Sequence, residues 1–135
     1  LRTQFADTSF WFARHVVSDR RHDIARLIRP APLVLTTELV LGETWTLVNR
    51  RVGHPAAVAC VRSIRALPGV RVEPVVEADH EQAWLWLEKH DEREYSFVDA
   101  VSFAVMRRRR LTEALAFDGD FAAAGFVEVR QSGGE

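Results

Sequence analysis

Short apolar runs alternate along this chain with longer stretches in which apolar residues recur every three or four positions. Phe5-Ala6, Leu33-Val34-Leu35, Val70 to Val76, Ala114 to Phe117 and Phe126 to Val129 are runs of the first kind. Their length, and the breaks around them, predict buried strands. Pro74 marks the third as an edge strand, because proline cannot donate to a ladder. The longer stretches predict helices. Thr8 or Ser9 caps one that carries Phe10, Trp11 and Phe12. The Arg-rich segment from Ser18 to Arg29 holds a second, with Ile24, Leu27 and Ile28 on one face. Thr36 and Thr37 offer caps for a third, running to about Arg51. Beyond Gly53-His54-Pro55 comes a fourth, with Val58, Val61, Ile64 and Leu67. Glu77 to about His90 is a fifth, with Ala83, Trp84 and Leu87 inward. Ser96 begins a sixth, which ends in Arg107-Arg108-Arg109-Arg110.

Strands that alternate with helices imply an α/β protein with a mostly parallel sheet covered on both faces. The 135 residues fit one domain, expected over 1–130, with Gln131 to Glu135 as a frayed tail. In sheets of this kind ligands bind beyond the carboxyl ends of the strands. Asp7 and Asp118 each follow a predicted strand directly, so both are expected in that crevice.

Composition narrows the function classes. Net charge is −1, so a nucleic-acid partner would need a local basic patch. Lys89 is the sole lysine, and the densest patch is the run Arg107 to Arg110. That run is explained either by favourable charge at a helix C-terminus or by phosphate binding. The lone Cys60 excludes an intramolecular disulfide and fits a reducing, cytoplasmic setting. No apolar run nears the roughly 20 residues that cross a bilayer, and no secretory signal is expected. Five histidines lack the paired spacing of a zinc helix, and there is no second cysteine. No glycine-rich phosphate loop is present, so no nucleotide cofactor is expected. Trp84 and Trp86 fall on different helix faces, which places one of them at a partner surface.

The candidate chemistry lies in acids set among apolar neighbours: Asp7 after Phe5-Ala6, Glu43 in Leu41-Gly42-Glu43-Thr44-Trp45, Asp99 in Phe97-Val98-Asp99-Ala100-Val101, and Asp118 after Phe117. Acids are rarely buried unless they are paired or hold a metal. Each also has a local explanation. Asp7 fits a helix N-cap. Glu43, between Leu39 and Leu47 on one helical face, faces the sheet or its rim and could be salt-bridged there. Asp99 completes a capping box with Ser96. Asp118-Gly119-Asp120 reads as a tight turn. One metal site would explain all four together. Two carboxylates about 5 Å apart repel by on the order of 3 kcal/mol at an effective dielectric of 20, and a divalent cation removes that cost. Oxygen ligands favour Mg²⁺ or Mn²⁺ over zinc.

These residues, in this order and spacing, resemble the PIN-domain ribonucleases, most closely the VapC-type toxins of bacterial toxin–antitoxin pairs. The likeness rests on Asp7-Thr8-Ser9, on Glu43, on Ser96-Phe97-Val98-Asp99-Ala100-Val101-Ser102-Phe103, and on Phe117-Asp118-Gly119-Asp120-Phe121 with Gly125-Phe126 behind. It implies a PIN-like three-layer α/β/α sandwich on a four- to five-stranded, mostly parallel sheet. It implies Mg²⁺- or Mn²⁺-dependent endonucleolytic cleavage of RNA. Asp7, Glu43, Asp99 and Asp118 would form the acidic site, Asp120 would add a ligand through water, and Ser9 would support Asp7. Ala116 departs from the family, many of whose members carry a hydroxyl there. The resemblance further implies a homodimer and a cognate antitoxin that covers the site.

The competing function is a non-catalytic PIN-like module that binds RNA or protein, which the intact acid set disfavours. A receiver domain would need a lysine late in the sheet, and Lys89 lies in a predicted helix. An aspartate-nucleophile phosphohydrolase would carry Asp-x-Asp after the first strand, where this chain has Asp7-Thr8-Ser9.

Overall fold

The computed structural model describes residues 1–130; the tail expected over 131–135 lies outside them. The strands are β1 (Thr3–Ala6), β2 (Leu33–Thr36), β3 (Val70–Val72), β4 (Glu113–Leu115) and β5 (Val127–Glu128). The helices are α1 (Thr8–His15), α2 (His22–Leu27), α3 (Glu38–Arg51), α4 (His54–Ala66), α5 (Glu77–Lys89), α6 (Phe97–Arg108) and α7 (Asp120–Ala123). The five strands form one sheet in the order β3-β2-β1-β4-β5, with every pairing parallel.

The path along the sheet fixes which face each helix covers. From β1 the chain steps outward to β2 and β3, then returns past β1 to β4 and β5. Right-handed crossovers put α1 to α4 on one face and α5, α6 and α7 on the other. The sheet is thus buried on both sides, and β1 at its centre reads Gln4-Phe5-Ala6, all fully buried. Gln4 is satisfied there: its amide donates to Glu113 and its carbonyl accepts from Ala31 N–H. On the α6 side Phe103 meets Phe121 edge-on at 4.9 Å, and Phe121 stacks on Phe5 at 6.3 Å. On the α1 side Phe10 and Trp11 are buried with Ile64 of α4 and Leu35 of β2.

Several elements depart from the sequence expectation. Of the caps the sequence offered for α1, Asp7 is the one used, not Thr8 or Ser9: its carboxylate accepts from Ser9 N–H. The second helix is only six residues long. Its Ile24 and Leu27 are exposed, while Ala25 and Ile28 turn inward, because so short a helix packs only one residue before the chain leaves. On α5 Ala83 and Leu87 turn inward as expected, joined by Asp79 and Trp86, but Trp84 is 56% exposed, stacked at 4.4 Å on Phe97. β3 is an edge strand, as expected, but it stops at Val72, before Pro74. The two last strands are shorter than the apolar runs that mark them, since Phe117 and Phe126 pack outside the ladders.

Candidate metal centre

Between β1 and β4 the direction of travel across the sheet reverses. Two crossovers leave this point on opposite faces, so a crevice opens beyond the strand ends. Asp7 stands at the end of β1, where its N–H bonds Leu115 of β4 at 3.0 Å. Asp118 follows β4. Asp99 arrives from the other face, in the first turn of α6. Their carboxylate oxygens lie within 4.8 Å of one another.

Each acid is fixed by groups that sequence assigned to local duties. Asp7 Oδ2 accepts from Ser9 N–H at 3.2 Å and from the Ser9 hydroxyl at 3.0 Å. That hydroxyl also accepts from Phe117 N–H at 3.0 Å, so Ser9 ties the end of β1 to the segment that carries Asp118. Asp99 Oδ2 accepts from Ser96 N–H, and Ser96 Oγ from Asp99 N–H, which closes the capping box. The local and site readings of Asp99 therefore coexist: one oxygen holds the helix start and the other is left for the cluster. Asp118 Oδ1 accepts from Asp120 N–H at 3.2 Å across the turn, where Gly119 takes a left-handed φ of 86°.

Among the described residues no ion pair reaches the carboxylates of Asp7, Asp99 or Asp118; Arg93 contacts Asp118 at its backbone carbonyl. Asp7 is 2% exposed and its Oδ1 has no partner. Burial raises its pKa well above the carboxylate range, and the charges of Asp118 and Asp99 add to the shift against the Ser9 hydrogen bonds. Asp99 is pushed to about 7, by burial first and by Asp118 and Asp120, against the Ser96 bonds. Asp118 is raised too, by surrounding protein and then by Asp120 and Glu128. An orphaned, buried carboxylate oxygen facing two further acids is a donor set that fits a hard divalent cation.

Glu43 is not one of the three. It is half-buried on the rim stripe with Leu39 and Leu47, and its Oε1 accepts a 2.6 Å bond from the Thr8 hydroxyl, one residue beyond Asp7. Asp120 Oδ1 accepts from Arg93 Nε at 2.8 Å. The arginine run is not brought to the site at all. Arg107 begins eight residues beyond Asp99, about 12 Å along the helix axis. Its guanidinium lies over Trp86 and Phe126. Arg108 grips Asp79 with two nitrogens and reaches Glu73, and Arg109 also pairs with Glu73. Arg110 is exposed, with a φ of 57°.

Sequence reading missed two neighbours of the site. Thr8 was expected as a cap and instead holds Glu43. Arg93 reads from sequence only as part of the charged connection Asp91 to Tyr95, yet it donates to the Asp118 carbonyl at 3.1 Å. No local signal marks either, since both contacts span 25 or more residues. Two hollows of 630 and 620 Å³ lie elsewhere, one between α5 and α6 and one among α1, α3 and α4. Among the described residues no helix is long and apolar enough to cross a membrane.

The PIN domain family matches over residues 5–127. Two curated relatives, both "23S rRNA-specific endonuclease VapC20", come from Mycobacterium tuberculosis strains CDC 1551 / Oshkosh and ATCC 25618 / H37Rv. Each is 59% identical over 128 residues, covering 93% of this chain and 97% of the relative. The crystal structure of Mycobacterium tuberculosis VapC20, described as a sarcin-ricin loop cleaving toxin, superposes with a TM-score of 0.88. It is 59% identical, over 93% of this chain and 98% of that one.

Proposed function

The chain belongs to the PIN-domain family, in its VapC-type branch, and from that premise we propose that it is a divalent-metal-dependent toxin endoribonuclease that cuts the sarcin–ricin loop of 23S ribosomal RNA. The observation that carries the chemistry is the group of three aspartates with carboxylate oxygens within 4.8 Å, one of them, Asp7 Oδ1, buried without a hydrogen-bond partner. The choice of RNA rests on the 59% identity to VapC20 along nearly the whole chain.

Asp7, Asp99 and Asp118 would hold Mg²⁺ or Mn²⁺, which supplies the electrophilic charge that phosphodiester hydrolysis needs. The remaining work belongs to the chain. Ser9 and Ser96 each hold one oxygen of a ligand carboxylate, so its direction is set before the ion arrives. The raised carboxyls must lose protons to ligate, which couples binding to pH. Glu43, held by Thr8, adds negative charge at the same rim. A cognate antitoxin that covers the acids, a homodimer and a cytoplasmic setting follow from the VapC resemblance as parts of the same proposal.

The test uses the antitoxin-free protein on intact ribosomes and on total RNA, with Mn²⁺, Mg²⁺ or chelator, and maps cut ends by primer extension. A single metal-dependent cut in the sarcin–ricin loop, lost in Asp7→Asn and Asp99→Asn, is expected. Cutting that persists in chelator would overturn the metal-dependent reading. Cuts confined to other RNAs would overturn the substrate.

A further inference from the structure

Arg93 lies in the connection between α5 and α6, and it is the basic residue whose contacts reach the acidic turn directly. Its Nε donates to Asp120 Oδ1 at 2.8 Å, and its Nη2 donates to the Asp118 carbonyl at 3.1 Å. Asp120 N–H in turn donates to Asp118 Oδ1 at 3.2 Å. The three bonds form a closed ring around Gly119. A Cβ on Gly119 would come within 3.2 Å of Arg93 Nη2, so the guanidinium packs closely against the bare α-carbon. The Asp120 side chain is only 17% exposed, and its Oδ1 is committed to the guanidinium. Next to Arg93 in the chain, Glu92 accepts from the Tyr95 hydroxyl and contacts His90.

We propose that Arg93 is a positioning residue that braces Asp118 through this ring, and that Asp120 serves as its anchor and not as a metal ligand. The inference rests on the metal-dependent reading above. A planar fork reaches a carboxylate and a carbonyl together, which a lysine ammonium does not do in one fixed geometry. Partners of this outer kind orient a ligand and so set both metal affinity and turnover.

The sign of the effect on metal affinity separates bracing from simple charge. Arg93→Ala removes a positive charge beside a cation site, which by Coulomb's law alone would tighten Mn²⁺ binding. Loss of the brace weakens it. The experiment measures Mn²⁺ binding by titration calorimetry without RNA, and separately kcat and KM for cleavage, in wild type, Arg93→Ala, Arg93→Lys, Asp120→Ala and the Arg93→Ala/Asp120→Ala double variant. Circular dichroism checks that each is folded. The expected result is about tenfold weaker Mn²⁺ binding and about tenfold lower kcat in Arg93→Ala, with KM unchanged. Arg93→Lys recovers only part, and the double variant is no worse than Arg93→Ala.

Tighter or unchanged Mn²⁺ binding in Arg93→Ala would overturn the brace. A raised KM with kcat intact would also overturn it, in favour of an RNA contact. A double variant much weaker than either single would overturn the assignment of Asp120, making it a ligand in its own right. Wild type that neither binds Mn²⁺ nor cuts RNA would bring down the proposed function itself, an outcome visible before any variant is examined.

Discussion

Asp7 and Asp79 are equally buried, each 2% exposed, and they are provisioned in opposite ways. Asp79, in the first turn of α5, accepts from Val76 N–H and takes a two-nitrogen grip from Arg108. Glu73 beside it is shared by Arg108 and Arg109. Asp7 has only the two donors of Ser9, one oxygen with no partner, and two like charges nearby. Burial of an acid therefore does not by itself mark function. What marks it is burial without a compensating cation, because such an arrangement costs free energy that folding alone gives no reason to spend. The two clusters lie at opposite ends of α6. One end fastens α5 to α6, and the other gathers the three aspartates proposed to hold an ion.

The comparison predicts opposite phenotypes. Asp7→Asn or Asp99→Asn is expected to cut metal-dependent cleavage by more than about 100-fold, the upper range for outer-shell partners. The metal-free melting temperature should hold or rise, since a repelling charge is gone. A fall in stability with activity preserved would place these acids with Asp79. The converse substitution, Arg108→Ala, leaves Asp79 buried without its cation. It is expected to cost about 3 kcal/mol in urea unfolding while turnover per folded molecule is unchanged. A stable but inactive Arg108→Ala protein would break the division between the two ends.

A smaller effect is expected with pH. Asp99 holds its proton to about pH 7 in the fold, against an ordinary value of 3.8. The folded chain thus binds more protons than the unfolded one between those values. The metal-free protein should lose stability as pH rises through that window. Mn²⁺ competes with the same proton, so its affinity should weaken as pH falls below 7, by at most about tenfold per unit for one proton. Calorimetric titrations at pH 6, 7 and 8 read this directly, and an affinity flat over that range would contradict it. The smallest change is expected from Thr8→Val, which frees Glu43 without touching the three aspartates. Cleavage should fall by about tenfold or less, with Mn²⁺ affinity little altered. A loss as large as that of Asp99→Asn would bring Glu43 into the inner group.

The alternation of short apolar runs and amphipathic stretches was enough to read an α/β chain with a parallel sheet, because both periods are set by the backbone itself. The same local logic located Asp7 and Asp118 at strand ends and Asp99 in a helix's first turn. It went astray where local chemistry gives no direction. Trp84 and Trp86 are the same residue two positions apart, and only the packing of α5 on α6 turns one inward. For the arginine run the sequence left helix-terminal charge and phosphate binding both open, and only the fold pairs Arg108 and Arg109 with Asp79 and Glu73.

Sequence alone thus determined the elements, the family resemblance and the acids worth examining, since each is written in neighbouring residues or in their order. Tertiary structure decided the rest: that Asp7, Asp99 and Asp118 meet, that Glu43 stands off on Thr8, and that Arg93 closes on the turn between Asp118 and Asp120. The reason is physical. A charge's fate depends on what lies within a few ångströms of it, and those neighbours come from strands and helices that are distant along the chain.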